Sequence, residues 1–281
     1  MKVAAAMTPR DEVVTVSLPG TREDVLRYLQ ERSFSSVPIV NDDDGEQYRG
    51  LVSREDLIDA PDEDQLALLM RDVPSTSSDA DIVEVAHLMA ETDERRIPVV
   101  NGGSLEGIIT VTDVVRAIAD GEVDGDLEVR GLARRDVNTT FEETPLPVAE
   151  REIAFAQVPY AVVLDDAGEM SGIITEVDIL DVAEVVEGEE GTGDSIANQD
   201  DDWMWEGIKA VGNRYLPTRN VVLPDAPVAE YMTANVVTVT GKRTARDAAQ
   251  MMLNDDVEQI PLVTGDELTG MVRDIDLVGG L

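Results

Sequence analysis

Four short stretches place a donor side chain and a carboxylate three residues apart, behind a glycine and two apolar residues. They are Gly50-Leu-Val-Ser-Arg-Glu-Asp56, Gly107-Ile-Ile-Thr-Val-Thr-Asp113, Gly172-Ile-Ile-Thr-Glu-Val-Asp178 and Gly270-Met-Val-Arg-Asp-Ile-Asp276. A hydroxyl where a strand ends and a helix begins lies beside backbone N–H groups that have no partner within the helix, a setting that attracts phosphate. The aspartate falls in the same first turn, where its carboxylate can accept from both hydroxyls of a ribose, as acidic residues do in dinucleotide-binding folds. The same spacing also fits a capping box, which needs no ligand. The candidate pairs are Ser53 with Asp56, Thr110 with Asp113, Thr175 with Asp178, and Arg273 with Asp276.

The best-equipped pair is the second. Arg96 precedes Ile97-Pro98 and would meet a phosphate through a charge-assisted hydrogen bond, completing a set with Thr110 and Asp113. The first pair has Ser36 where the second has Arg96, so its grip on phosphate should be weaker. In the fourth, Arg273 replaces the hydroxyl; it either binds a polyphosphate or pairs with Asp274 or Asp276 and plugs the cleft. Thr8 and Thr233, in two Met-Thr segments, are secondary contact candidates or, alternatively, helix caps.

The elements that must position these residues recur as well. Upstream of each glycine stands a second repeated piece, Val37-Pro-Ile-Val40, Ile97-Pro-Val-Val100, Tyr160-Ala-Val-Val163 or Ile260-Pro-Leu-Val263. Two linked motifs recurring four times in order define a four-repeat chain. In the first copy Val13–Val16 reads as a strand, Thr21 caps a helix through Leu29, Val37–Val40 and Tyr48–Val52 form a hairpin across the turn Asn41–Gly45, and Ser53–Asp56 opens a second helix. The unit is β-α-β-β-α, an α+β fold. Boundaries fall at 1–62, 63–122, 123–187 and 227–281, with 188–226 between the third and fourth copies. The third is the least regular: its first helix must fit around Pro145 and Pro147, and Ala161 stands where the other copies have proline. The aspartates of the first two copies are 57 residues apart and those of the last two 98, which marks the insertion. Within it, Glu187–Asp194 and Gln199–Asp202 read as acidic linker, while Trp203–Val211 holds both tryptophans and reads as a helix closing a seam or docking a partner.

Composition excludes several classes of function. The 59 acidic and 22 basic residues give a formal net charge of −37, which opposes nucleic acids and anionic membranes. Only Lys2, Lys209 and Lys242 are lysines, leaving 19 arginines. The balance resembles that of proteins from extreme halophiles, whose molar salt shortens the Debye length to about 3 Å and screens self-repulsion. No cysteine is present, so disulfides and thiolate sites are excluded. The one histidine, His87, sits in a helical pattern as a surface or boundary residue. No apolar run is long enough to span a bilayer and no secretory leader is evident, so a soluble, cytoplasmic protein is expected.

The Met-Thr openings, the Val-Pro-Ile-Val type strand and Gly-Ile-Ile-Thr-x-x-Asp together resemble cystathionine-β-synthase (CBS) domains, over nearly the whole chain outside about 188–225. The resemblance implies that consecutive repeats, one with two and three with four, pair into Bateman modules, that two modules stack into a disc, and that adenine-containing ligands bind in clefts between paired domains. It thus implies a non-catalytic sensor of AMP, ADP or ATP acting on a protein partner, with no obligatory cofactor or metal, as a monomeric disc or a homodimer. S-adenosylmethionine is the alternative ligand, since a sulfonium does not need Arg96; a ligand-free scaffold is the alternative of another class. Acidic runs such as Asp42–Asp44 read as solvated loops rather than catalytic carboxylates.

Overall fold

The computed structural model describes residues 1–31, 36–41, 47–53, 56–57, 60, 63–182, 184–187 and 219–281. The segment Trp203–Val211 and most of 188–226 lie outside the described residues, as does most of the turn Asn41–Gly45.

Repeats one, three and four form a parallel strand pair joined through a helix, followed by a hairpin; in the second repeat the parallel pairing is reduced to the bridge of Thr76 with Val99. In the first, β1 is Thr8–Pro9, β2 Val16–Leu18, α1 Arg22–Glu31, β3 Ser36–Asn41 and β4 Gln47–Ser53. The opening strand begins at Val16, not Val13, because the parallel ladder with β3 runs from Val16 opposite Ile39 to Leu18 opposite Asn41. Ahead of it, the Arg10 guanidinium donates to the Val13 carbonyl and the Thr15 hydroxyl. Then follow α2 (Leu66–Leu69), α3 (Ile82–Thr92), β5 (Arg96–Asn101), β6 (Ser104–Thr110) and α4 (Val111–Ala119). Asp81 caps α3, accepting from the Val83 N–H at 3.0 Å, and His87 lies on its exposed side.

The third repeat contains β7 (Thr139–Phe141), α5 (Leu146–Ala156), β8 (Tyr160–Leu164), β9 (Met170–Thr175) and α6 (Glu176–Asp181). Its two prolines cause no break: Pro145 is the N-cap of α5 and Pro147 stands in the first turn, where the missing N–H is not needed. Strands β10 (Glu184–Glu187) and β11 (Arg219–Val222) pair with each other, antiparallel. The fourth repeat has β12 (Val239–Thr240), α7 (Ala245–Asp255), β13 (Gln259–Thr264), β14 (Glu267–Arg273) and α8 (Asp274–Val278).

Every hairpin carries a bulge at the same place, immediately after the residue opposite the motif glycine: Ile39/Val40, Val99/Val100, Val163/Leu164 and Leu262/Val263. This fixes the correspondence between repeats independently of sequence. Pro38, Pro98 and Pro261 occupy one register position, and the third repeat has Val162 there rather than Ala161. Tyr160, opposite Thr175, therefore corresponds to Arg96, opposite Thr110. The alignment by sequence was one residue out because Tyr-Ala-Val-Val mimics the apolar run without its proline.

The repeats are joined in pairs by exchanged segments. Val3 inserts into the core of the second repeat, Leu66 into that of the first, Val129 into that of the fourth and Val228 into that of the third; all four are 0% exposed. Isolated bridges accompany each exchange, Lys2 with Asp81, Gln65 with Thr21, Glu128 with Thr244, and Pro227 with Pro145. A unit of about 50 residues buries too little surface to be stable alone, and here each repeat's core is completed by its neighbour.

Helices of the second and fourth repeats then share one core, in which Val114, Val115 and Ile118 pack with Ala248, Ala249, Met252 and Ile275. The apolar residues of the first repeat and the helix-covered face of the third form separate clusters among the described residues. Tyr160, Val162, Ile173 and Met271 form a further cluster between the sheets of the third and fourth repeats.

Thr140 on β7 is 5% exposed, and its hydroxyl has no hydrogen-bond partner among the described residues. Its register equivalents in repeats one and four are Val16 and Val239. A buried hydroxyl left unpaired costs its desolvation, so Thr140→Val should stabilise the protein by about 1 kcal/mol, measurable by denaturant unfolding at unchanged slope.

Candidate functional site

All four motifs adopt one geometry. Each glycine strand ends at the donor residue, and in the second, third and fourth motifs the helix begins immediately after it. The Thr110 N–H and hydroxyl donate to Asp113 Oδ2 at 2.9 and 2.7 Å, and the Asp113 N–H donates back to Thr110 Oγ1 at 3.3 Å. Ser53 with Asp56 repeats this at 2.7, 2.6 and 3.2 Å, and Thr175 with Asp178 at 2.8, 2.7 and 3.3 Å. These are capping boxes. The device is not confined to the glycine motifs, since Thr244 and Asp247 make the same box at the start of α7. The box consumes Oδ2 and leaves Oδ1 to distinguish one cleft from another.

The motif glycine has a steric cause. The segment opening each repeat crosses to its partner and lies across the glycine strand: Thr8 bridges Ile108, Arg71 bridges Leu51, Thr233 bridges Ile173 and Arg134 bridges Met271. A Cβ on Gly107 would stand 2.4 Å from the Thr8 carbonyl oxygen, on Gly50 2.7 Å from that of Arg71 and on Gly270 2.6 Å from that of Arg134. On Gly172 it would stand 2.5 Å from the Met232 sulfur and 3.0 Å from the Thr233 oxygen. Close backbone approach thus demands glycine at Gly50, Gly107 and Gly270, while at Gly172 the nearest atom belongs to the movable Met232 side chain. Thr8 and Thr233 sit on these crossings rather than at helix N-caps, so their capping alternative does not hold.

Sequence reading missed the other two crossing residues, Arg71 and Arg134, although spacing marks them. Val3, Leu66, Val129 and Val228 each precede by five residues Thr8, Arg71, Arg134 and Thr233. Arg71 Nε lies 2.6 Å from Asp56 Oδ1, and its Nη1 donates to Glu94 at 2.7 Å. Arg134 Nε donates to Asp276 Oδ1 at 3.0 Å. Arg273 also pairs with Asp276, its Nη2 reaching Oδ1 at 3.1 Å while its N–H and Nε reach Oδ2 at 3.0 and 3.2 Å. Of the two arrangements considered for Arg273, this is the pairing one. Burial works against the Arg273 charge, but the hydrogen bond and attraction of Asp276 outweigh it and hold its pKa above the ordinary value. Tyr160, fully buried close by, has its phenol raised by burial, with Arg273 opposing.

Among the described residues Asp113 Oδ1 meets only Arg116, one turn on and itself exposed, at 3.2 Å. Asp178 Oδ1 has no partner among the described residues. Arg96 is half-buried on β5 opposite Thr110. Its neighbour Arg95 forms a bidentate pair with Asp274, at 3.0 and 2.6 Å, tying the second repeat to the residue between Arg273 and Asp276 in the fourth. Asp274 is 5% exposed and could not be left there as an unpaired charge. The described residues contain no cluster of His, Cys, Asp and Glu suited to a metal ion and no helix long and apolar enough to cross a membrane.

This arrangement, four β-α-β-β-α units paired by exchanged segments with a capped aspartate at each glycine strand, defines a class. The CBS domain model matches residues 3–63, 66–120, 129–184 and 228–281, and the chain belongs to the CBS-domain family. Among curated proteins it is similar to the uncharacterized protein MJ1404 of Methanocaldococcus jannaschii, 26% identical over 269 residues, covering 95% of this chain and 59% of that one. A second relative from that organism, MJ0188, is 34% identical over 121 residues, 42% of this chain and 44% of its own. The chain thus spans about half the length of these curated relatives. Among solved structures it is similar to an uncharacterized conserved protein from Pyrococcus horikoshii, with a TM-score of 0.70, 27% identity and coverage of 99% of this chain and 98% of that one. It shares its fold with MJ1225 of M. jannaschii, described as an archaeal homologue of γ-AMPK, with a TM-score of 0.66, 20% identity and 99% of both chains covered.

Proposed function

We propose that the chain is a non-catalytic sensor that binds AMP, ADP or ATP in clefts between paired repeats and passes their occupancy to a protein partner. The observation that carries this reading is the Asp113 cleft. Its carboxylate gives Oδ2 to the helix cap and turns Oδ1 to the exposed Arg116, while Arg96 stands opposite Thr110 in the hairpin and Thr8 crosses the same strand at Ile108, a grouping suited to ribose hydroxyls and phosphate. Membership of the CBS-domain family and the likeness of fold to MJ1225 support it.

A second reading, an adenosine without phosphate such as S-adenosylmethionine, is favoured at the Asp178 cleft. There the buried Tyr160 takes the position of Arg96 and supplies no cation. Asp113→Ala is expected to weaken AMP binding at its cleft at least tenfold, the loss of about 1.4 kcal/mol or more that removal of a charged hydrogen-bond acceptor produces. Calorimetric titration checks this; unchanged affinity and stoichiometry in a folded variant would count against the assignment.

A further inference from the structure

We infer that the four equivalent clefts are of two kinds, and that each module keeps one open to a ribose while closing the other with an arginine of its own. The inference rests on the nucleotide reading above and adds which clefts serve it.

The controlling position is the crossing residue. Where it is threonine, at Thr8 and Thr233, Oδ1 of Asp113 or Asp178 takes no donor from the crossing segment, and Asp113 Oδ1 meets instead the exposed Arg116 of its own helix at 3.2 Å, a contact a ligand can displace into solvent. Where it is arginine, at Arg71 and Arg134, the guanidinium reaches the same oxygen of Asp56 or Asp276 at 2.6 or 3.0 Å. The arginine contact, not burial, separates the two kinds, since Asp56, Asp276 and Asp113 have side-chain exposures of 9%, 8% and 12%. Asp276 is filled twice over, because Arg273 in the hydroxyl position supplies donors to both oxygens. With two donors on each oxygen, Asp276 has no acceptor left for a pair of ribose hydroxyls, while Asp56 holds two donors on Oδ2 and the charged Arg71 Nε–H on Oδ1. A ligand at either filled cleft would have to displace a charged pair and strand the arginine.

The exchange of segments makes the pattern regular. Thr8 comes from repeat one and serves repeat two, while Arg71 comes from repeat two and serves repeat one. Thr233 from repeat four serves repeat three, and Arg134 from repeat three serves repeat four. One open and one closed cleft therefore fall in each pair, and the closed one holds a tethered cation in place of a ligand.

The test counts sites with adenosine, which carries the ribose common to every ligand considered, by equilibrium dialysis of the full chain. The unmodified protein is expected to bind two adenosines, and Asp178→Asn to lose one. Arg71→Thr, which installs the residue present at the two open crossings, is expected to add a third. Arg134→Thr alone should add none, because Arg273 still fills Asp276; Arg134→Thr with Arg273→Thr should add one. Thermal unfolding of each variant verifies that it is folded, and Arg71→Ala repeats the first gain if Arg71→Thr is not. Three or four adenosines on the unmodified protein, or no gain in a folded Arg71 variant and in the double variant, would overturn the inference while leaving adenosine binding intact. No adenosine bound by any form would instead reject the nucleotide reading, and this inference with it.

Discussion

Replacing Gly107 by alanine is expected to destabilise the protein by about 3 kcal/mol or more, the upper range for forcing atoms into a packed position. The added Cβ would stand 2.4 Å from the Thr8 carbonyl oxygen and 3.2 Å from the Met7 sulfur. The nearer neighbour is backbone, so no rotamer change relieves it. β1 must move off β6, and with it go the pairings of Thr8 with Ile108 and Pro9 with Gly107. Gly131→Ala is the control, since nothing lies within 4 Å of its Cβ position, and a change within about 0.5 kcal/mol is expected there. Denaturant unfolding of the two variants decides the matter. Equal, small effects would show that the glycine strand does not need the crossing segment.

Leu66→Ala is expected to cost about 2–5 kcal/mol, the range for emptying a fully buried leucine site. The residue precedes the second repeat in sequence but packs with Val25, Leu29, Val37 and Val52 of the first. The damage should accordingly appear in the first repeat. Native-state hydrogen exchange should show the amides of β3 and β4 losing protection before those of β5 and β6. The opposite order would contradict the exchange of segments.

The repeats were legible in the sequence because glycine, the apolar pair and aspartate answer to local requirements that recur: a close approach, a two-sided strand and a helix cap. Pairing of one with two and three with four matches the exchanged segments, whose apolar anchors lie five residues before each crossing residue. What the sequence concealed was long-range. Arg71 and Arg134 do not resemble Thr8 and Thr233, so nothing local announces that they share a position, and their targets lie 15 residues upstream and 142 downstream. The Arg95–Asp274 pair spans 179 residues. Tyr160 misled for a different reason. An apolar run without its proline can be slid by one residue, and only the bulge opposite the glycine fixes its register.

Arg273 shows how a motif can keep its structural half and change its functional one. Half of the cap survives the loss of the hydroxyl: Asp276 still accepts from the Arg273 backbone N–H, whereas the guanidinium, a donor only, cannot accept from the Asp276 N–H as a hydroxyl would. The box in three motifs, and its carboxylate half in the fourth, is thus a statement about helix starts, and the candidate chemistry resides in what meets the second carboxylate oxygen.

The central claim is that this chain binds an adenine nucleotide in its native state. Thermal unfolding in high-potassium buffer, against concentration series of AMP, ADP, ATP and S-adenosylmethionine, tests it most directly. A ligand that binds only the folded chain stabilises it by about 2.7 kcal/mol at one hundred times its dissociation constant. A saturable rise in unfolding temperature with at least one of the phosphorylated ligands is expected, lost in part in Asp113→Ala. Absence of any shift across all four, on protein first shown to carry no bound nucleotide, would contradict it.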